Sequence, residues 1–369
     1  MLNGFFIDDE DLSYAKMLTT RGVLVFEGRK TGPLTQLAKT IFSAQPSIVA
    51  LDYRLDEDPG EMDPADTYKA SVLAQKLRDD AIDLPTKDFP IVLVSNEPQL
   101  DALYRPDKTA HDLFDRVYGK RFILNNRAQV RAEVISLAKG YQLLAAVNGN
   151  YDLASLLGLA ADDKPLLDHQ ELQVAAKSAA APHILARVIL RNLILRPGLL
   201  IDDSDAAARL GIEEPSFQGI AGRIEGDASY KGVFAGGGRR WWTHKLVAWG
   251  EQILGTRITS LTAAQRAEAL SVALEAPLAP AASTWDGSVD QLVAMACASC
   301  RLGTDISHSV TAFDPHLPRY ALRKRICWNC VQTDRYKAQT PPLLIDETDQ
   351  RVATRVLGLK RPPKVSGAA

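Results

Sequence analysis

An α/β fold is predicted for the N-terminal third of this 369-residue chain, with a mainly helical region after it and a small metal-stabilised module near the end. Three observations lead there. Short continuous apolar runs recur early, Phe5-Phe6-Ile7, Ile48-Val49-Ala50-Leu51 and Ile91-Val92-Leu93-Val94, each ending in a polar residue. Such runs mark strands buried on both faces, as in a parallel sheet. From 140 to 290 the apolar residues instead recur mainly at helical spacing. All four cysteines then fall in two CxxC pairs, Cys297/Cys300 and Cys327/Cys330.

The predicted strand ends carry the chemistry. The first run leads into Asp8-Asp9, the second into Asp52 and the third into Ser95; a fourth, less apolar element from Phe114 to Gly119 leads into Lys120. In an open α/β sheet the carboxyl ends of the strands line the ligand crevice, so these side chains should meet. Clustered carboxylates bind a hard cation such as Mg²⁺ while leaving it waters to exchange for a phosphoryl donor. One carboxylate can act as nucleophile and form an aspartyl phosphate. A hydroxyl and an ammonium then donate to the phosphoryl oxygens.

Over roughly residues 1 to 135 this set resembles the receiver domain of bacterial two-component response regulators, a flavodoxin-like parallel sheet. The resemblance implies that Asp8, Asp9 and Asp52 hold Mg²⁺ with the backbone carbonyl of Arg54. It implies that Asp52 is the phosphoacceptor, Ser95 the switch hydroxyl and Lys120 the phosphate-binding lysine. The implied partner is a histidine kinase or a small phosphodonor, with a homodimer as a possible assembly. Some features depart from the family. Leu55-Asp56 and Arg121 stand where receivers carry prolines, an acidic insertion runs from Asp56 to Pro64, and Tyr118 sits two residues before the lysine rather than three. These departures keep a second reading open, a non-phosphorylated pseudo-receiver that serves as an adaptor in a multi-protein assembly.

Bulk properties narrow the class. No run approaches the roughly 18 to 20 apolar residues of a membrane span, and residues 1–20 lack a basic segment followed by an apolar core. With all cysteines in CxxC pairs and none left for a disulfide framework, a cytoplasmic location is expected. Charge is uneven: residues 1–150 hold 22 acidic and 18 basic side chains and residues 151–290 hold 17 and 13, but residues 291–369 hold 6 and 12. Only the last segment has the charge of a surface for nucleic acid or an acidic partner.

That basic segment contains both cysteine pairs, separated by 26 residues. Each pair can present two thiolates from one tight turn, and two such turns complete a closed tetrahedral Cys₄ site, for which Zn²⁺ is the expected ion. An iron–sulfur cluster or a redox dithiol pair are the alternatives. His308 and His316 lie between the pairs and are read as packing or surface residues. The run Arg319-Tyr320-Ala321-Leu322-Arg323-Lys324-Arg325-Ile326, with Trp328 beside it, interleaves cations with aromatics. Such a run suits a phosphate backbone and stacked bases, or equally a small zinc fold with its cations at the surface.

Between the two sites, Leu172, Ala175, Ala176, Ala179 and Ala180 give one helical stripe. Pro182 should open a further helix carrying Ile184, Leu185, Val188, Ile189 and Leu193, which Arg196-Pro197-Gly198 ends. Residues 205–220 have a helix-turn-helix look, but Glu213-Glu214 would open the second helix and face DNA phosphates unfavourably. Three of the five tryptophans cluster in Trp241, Trp242 and Trp249, near Arg239 and Arg240. That cluster reads as a packing core, or else as a partner or ligand site. Expected boundaries are 1–138 for the receiver-like domain, 139–283 for the helical region, 284–350 for the zinc module and 351–369 for a basic flexible tail, with a linker-like stretch from Ala276 to Ser283.

The function expected is an atypical response regulator, not an enzyme, whose C-terminal part binds nucleic acid or a protein effector. The alternatives are the adaptor and, last, an enzyme with its site around Arg239, Arg240 and His244.

Overall fold

The computed structural model describes residues 1–58, 60, 62–96, 112–314, 317–339 and 342–361. The chain divides into two compact units, Met1–Arg191 with Lys231–Gly238, and Asn192–Tyr230 with Arg239–Ala369.

The first unit is built on strands β1 (Leu2–Ile7), β2 (Leu24–Arg29), β3 (Ile48–Asp52), β4 (Ile91–Ser95) and β5 (Arg116–Gly119). They form one sheet in the order β2-β1-β3-β4-β5, all neighbours parallel. This is the doubly wound order of the flavodoxin-like class, and the unit is an α/β, receiver-like domain. Alternation sends Phe5, Ile7, Val49, Leu51, Ile91 and Leu93 to one face, where they join one core cluster. Helix α1 (Leu34–Ala44) covers that face with Ala38, Ile41 and Phe42, and helix α2 (Ala70–Asp83) with Leu73, Ala74 and Leu77. Phe6, Ala50 and Val92 on the opposite face are fully buried too, which explains runs that are apolar at every position rather than every second one.

One charged group sits inside this core. Arg78 lies on the apolar stripe of α2, and its guanidinium reaches Asp88 at 3.2 Å, Asp115 at 2.7 Å and the carbonyls of Phe89 and Leu113. Asp88 in turn accepts from the His183 backbone N–H and contacts its ring Nδ1 at 2.9 Å, while Asp115 accepts from the Tyr141 hydroxyl at 2.6 Å. Every charge in the network is paired, as a buried position requires.

The helix Arg127–Ala146 also meets the glycine-rich stretch after Tyr230. A Cβ added at Gly140 would lie 2.2 Å from the Phe234 ring, which is itself buried. Alanine is worth about 1 kcal/mol more than glycine inside a helix, but the overlap costs about 1–3 kcal/mol and decides the sign. Gly140→Ala is therefore expected to lower the urea midpoint with an unchanged slope; a raised midpoint would show that the ring has room to move.

The second unit is mainly helical around the segments Asp203–Leu210, Glu214–Ala228, Thr243–Leu254 and Ala263–Leu274. Ala206, Ala207, Leu210, Phe217, Ile220 and Ile224 pack together with Trp241 in one core. Residues 205–220 are thus a helical hairpin turned at Gly211, whose φ of 73° is in the left-handed region that glycine tolerates. Trp241 and Trp242 form a short strand against Leu200–Ile201, both indoles buried, with Trp241 Nε1 donating to Asp203 at 2.6 Å. Proline opens the helix Pro182–Val188 of the first unit as expected, but the chain then widens into a π-helical turn over Ile189–Ile194.

Two expected features take another form. The stretch from Ala276 to Ser283 is not a free linker: it packs on the hairpin, with Leu278 and Ala281 buried and backbone bonds from Glu213 N–H to Ala279 and from Ala281 N–H to Gly211. Residues Gln350–Leu357 are a helix whose Ala353 and Val356, one turn apart, enter the core around the cysteines. Of the expected tail, 362–369 lies outside the described residues, as do Pro59 and Glu61 of the acidic insertion and His316.

Candidate functional site

Strand register assembles the acidic site. Ile7 pairs with Leu51 and Asp52 with Val94, while Ser95 pairs with Gly119, so Asp8, Asp52, Ser95 and Lys120 emerge side by side at the carboxyl edge. The strand order reverses between β1 and β3, and the crevice of such a sheet lies at that switch point. Asp8, Asp9 and Asp52 are all buried there.

Lys120 occupies the middle of the cluster. Its Nζ lies 2.7 Å from Asp52 Oδ1 and 3.4 Å from Asp8 Oδ2, with the Tyr14 ring 5.2 Å away. Backbone amides hold one oxygen of each of the three aspartates. Asp8 Oδ1 accepts from Glu10 and Asp11, Asp52 Oδ2 from Arg54 at 2.8 Å, and Asp9 Oδ2 from Glu57 at 2.7 Å and Asp58 at 2.8 Å. The acidic insertion thus folds back to cap Asp9, and Arg54 pins it by pairing with Asp56 and Glu57. With Asp9 turned toward that loop, the three aspartates do not meet as tightly as the four cysteines, the one group among the described residues so placed that it could hold a metal ion.

Ser95 is fully buried, and its hydroxyl has no hydrogen-bond partner among the described residues. A buried hydroxyl without a partner carries a desolvation penalty unless something occasionally satisfies it. Tyr118 points elsewhere: its hydroxyl donates to Glu133 at 2.8 Å, and burial first, then Glu133, holds its pKa well above the usual phenol range.

Burial raises the Asp52 carboxyl to about 6, against the hydrogen bond and charge of Lys120 that lower it. Burial also works against the Lys120 ammonium, but Asp52 and Asp8 outweigh it and hold its pKa up. The Asp52 value lies above its ordinary 3.8, so this carboxyl favours the folded state below about pH 4, and that contribution is lost as pH rises through about 6. In Mg²⁺-free buffer, Asp52→Asn is expected to flatten the fall in urea midpoint over that window. An unaltered fall would place the titration elsewhere.

In the second unit, Cys297, Cys300, Cys327 and Cys330 bring their sulfurs within 4.8 Å of one another, an arrangement able to hold a metal ion. The first pair sits at the turn between the antiparallel strands Met295–Ala296 and Gly303–Thr304. The second runs from Cys327, the last residue of the strand Arg325–Cys327 paired with Ser309–Thr311, to Cys330 in the helix Trp328–Gln332. Cys297 Sγ accepts amide bonds from Ser299 at 3.4 Å and Cys327 at 3.2 Å, and Cys300 Sγ lies 3.8 Å from Cys327 Sγ. His308 stays outside the group: its ring bonds Asp305 and packs edge-on against Trp328.

No family model and no curated protein matches the chain. One crystal structure of NtrX from Brucella abortus is 18% identical, covers 47% of this chain and 35% of its own, and has a TM-score of 0.29. A second, NtrX in complex with ATP, is 15% identical with coverages of 64% and 57% and a TM-score of 0.29. The chain spans about a third and somewhat over half of those two chains. The receiver-like description rests on strand order and register. Among the described residues, no helix is long and apolar enough to cross a membrane.

Proposed function

We propose that this protein is a response-regulator-like signalling protein whose Asp52 accepts a phosphoryl group. The observation that carries this reading is the Lys120 ammonium bridging Asp8 and Asp52 beside a buried, unsatisfied Ser95 hydroxyl. A cation already stands where the carboxylates converge, and a hydroxyl donor waits without an acceptor. Asp8, Asp9, Asp52 and the Arg54 carbonyl would hold Mg²⁺, which when bound neutralises the phosphoryl oxygens. An Asp52 oxygen attacks phosphorus, the bond to the histidine nitrogen or acetyl oxygen of the donor breaks, and its electron pair leaves with the donor. Lys120 transfers its ion pair to a phosphoryl oxygen and Ser95 donates to another. The output is binding of a protein effector or nucleic acid by the basic C-terminal part.

One observation favours the second reading, a non-phosphorylated adaptor: the amides of Glu57 and Asp58 already occupy an Asp9 oxygen. Calorimetric titration with Mg²⁺ separates the two. Saturable binding that Asp9→Ala removes supports the phosphoacceptor, and no saturable heat in the unaltered protein supports the adaptor.

For the cysteine group we propose structural Zn²⁺. Sulfurs about 2.3 Å from a tetrahedral ion stand about 3.8 Å apart, the separation of Cys300 and Cys327. Four thiolates close the coordination sphere, so the ion's role is to hold the fold.

A further inference from the structure

The second unit contains a cavity of about 390 Å³ between the helix Asp203–Leu210 and the cysteine-bearing strands. That volume is in the range of small-molecule sites, and about half of its wall is apolar, with Ile201, Met295 and Ile306 among its residues. Its charge is lopsided: seven arginine and lysine side chains line it against two carboxylates, Asp202 and Asp205.

Most of these cations are engaged. Arg301 pairs with Asp202 and, more distantly, with Asp205, which also accepts from the Ala296 amide. Arg196 pairs with Asp314 and Arg323 with Asp346. Arg240 donates to the Ile194 and Arg239 carbonyls, and Arg325 to Ser309 and Thr311. Two remain. Arg209 and Lys324 make no ion pair or side-chain hydrogen bond among the described residues, and Arg209 Nε is buried without an acceptor. Burial lowers the pKa of both. A desolvated cation without a partner is costly, and an anion entering the cavity would relieve both at once. Guanidinium and ammonium groups on an apolar floor suit phosphate joined to an organic body.

We propose that this cavity binds a small phosphorylated organic molecule of nucleotide size, its phosphate on Arg209 and Lys324 and its organic part against Ile201, Met295 and Ile306. A space of this size takes one such molecule rather than a nucleic-acid strand. The inference rests on the second unit alone and stands apart from the chemistry of Asp52.

The test is calorimetry on the full zinc-loaded chain in phosphate-free buffer, with pyrophosphate, AMP, ADP and a short oligothymidylate as probes. AMP or ADP should bind saturably, more tightly than pyrophosphate and more weakly as salt rises. Arg209→Met and Lys324→Met should each weaken binding about tenfold or more, as loss of a charge-assisted hydrogen bond implies. Without ligand, both variants should keep or raise the thermal midpoint, since each removes an unpaired cation. A lowered midpoint in both would mark these cations as structural and overturn the proposal. So would no saturable mononucleotide binding, binding of the oligothymidylate alone, or unchanged affinity in both folded variants. If either variant fails to fold, protection of Lys324 from amine acylation by ADP in the unaltered protein decides instead: protection supports the site and its absence overturns it.

Discussion

Asp52→Ala protein is expected to take up no phosphoryl group from acetyl phosphate under conditions in which the unaltered chain gains one. Among the described residues, only this carboxylate combines three features: it ends a central strand of the sheet, it contacts Lys120 at 2.7 Å, and it lies one step in register from the unsatisfied Ser95 hydroxyl. Asp8 lies farther from Lys120, at 3.4 Å, and Asp9 turns to the amides of Glu57 and Asp58 instead. Losing the nucleophile of a covalent step should remove the product altogether. Intact mass reads the result directly, and labelling retained at the original rate in the variant would assign the acceptor to another residue.

The second large effect is expected at the cysteines. The core around them is small, built from Val310, Ala312, Ile326, Val331, Ile345, Ala353 and Val356 with the cysteines themselves. So few apolar side chains cannot hold a fold of this size alone. Structural Zn²⁺ in comparable sites contributes about 10–16 kcal/mol of apparent binding energy, against about 5–15 kcal/mol for the whole stability of a typical domain. Cys327→Ser, or removal of the metal by a chelator, is therefore expected to unfold the region from Met295 to Leu357. Rapid proteolytic cleavage there, with loss of one equivalent of Zn²⁺ by elemental analysis, would show it. A variant without metal that resists proteolysis as well as the parent would contradict a structural role.

Much of the first unit was legible because a parallel sheet buries both faces of its strands. That burial writes uninterrupted apolar runs into the sequence, and polar residues stand where the runs end. Register then needs no further information to gather Asp8, Asp52, Ser95 and Lys120. The cysteine group was legible because two thiols from one turn require a short fixed spacing. Long-range pairing was not legible. Arg78 sits on an apolar helical stripe, which hints at a buried partner, but nothing local reveals that Asp88, Asp115, His183 and Tyr141 complete its network. The acidic insertion reads as a solvated loop, yet its backbone amides cap Asp9; an amide donor leaves no trace in side-chain composition. The alanine- and proline-rich stretch before Trp285 has the composition of a linker, and its packing on the hairpin comes from two buried side chains, Leu278 and Ala281, and from backbone bonds that composition does not show. The cationic cavity is built from four separated segments, so its unpaired Arg209 and Lys324 appear only in three dimensions.

Phosphoryl transfer to Asp52 is the central step of the proposed function. The most direct measurement is to incubate the full chain with Mg²⁺ and acetyl phosphate, record the intact mass, and map the modified peptide. Gain of one phosphoryl group on the peptide carrying Asp52, dependent on Mg²⁺ and lost in Asp52→Ala, is the predicted result. A folded, zinc-loaded protein that gains no mass from acetyl phosphate or from a phosphorylated histidine donor, and binds no Mg²⁺, would contradict it.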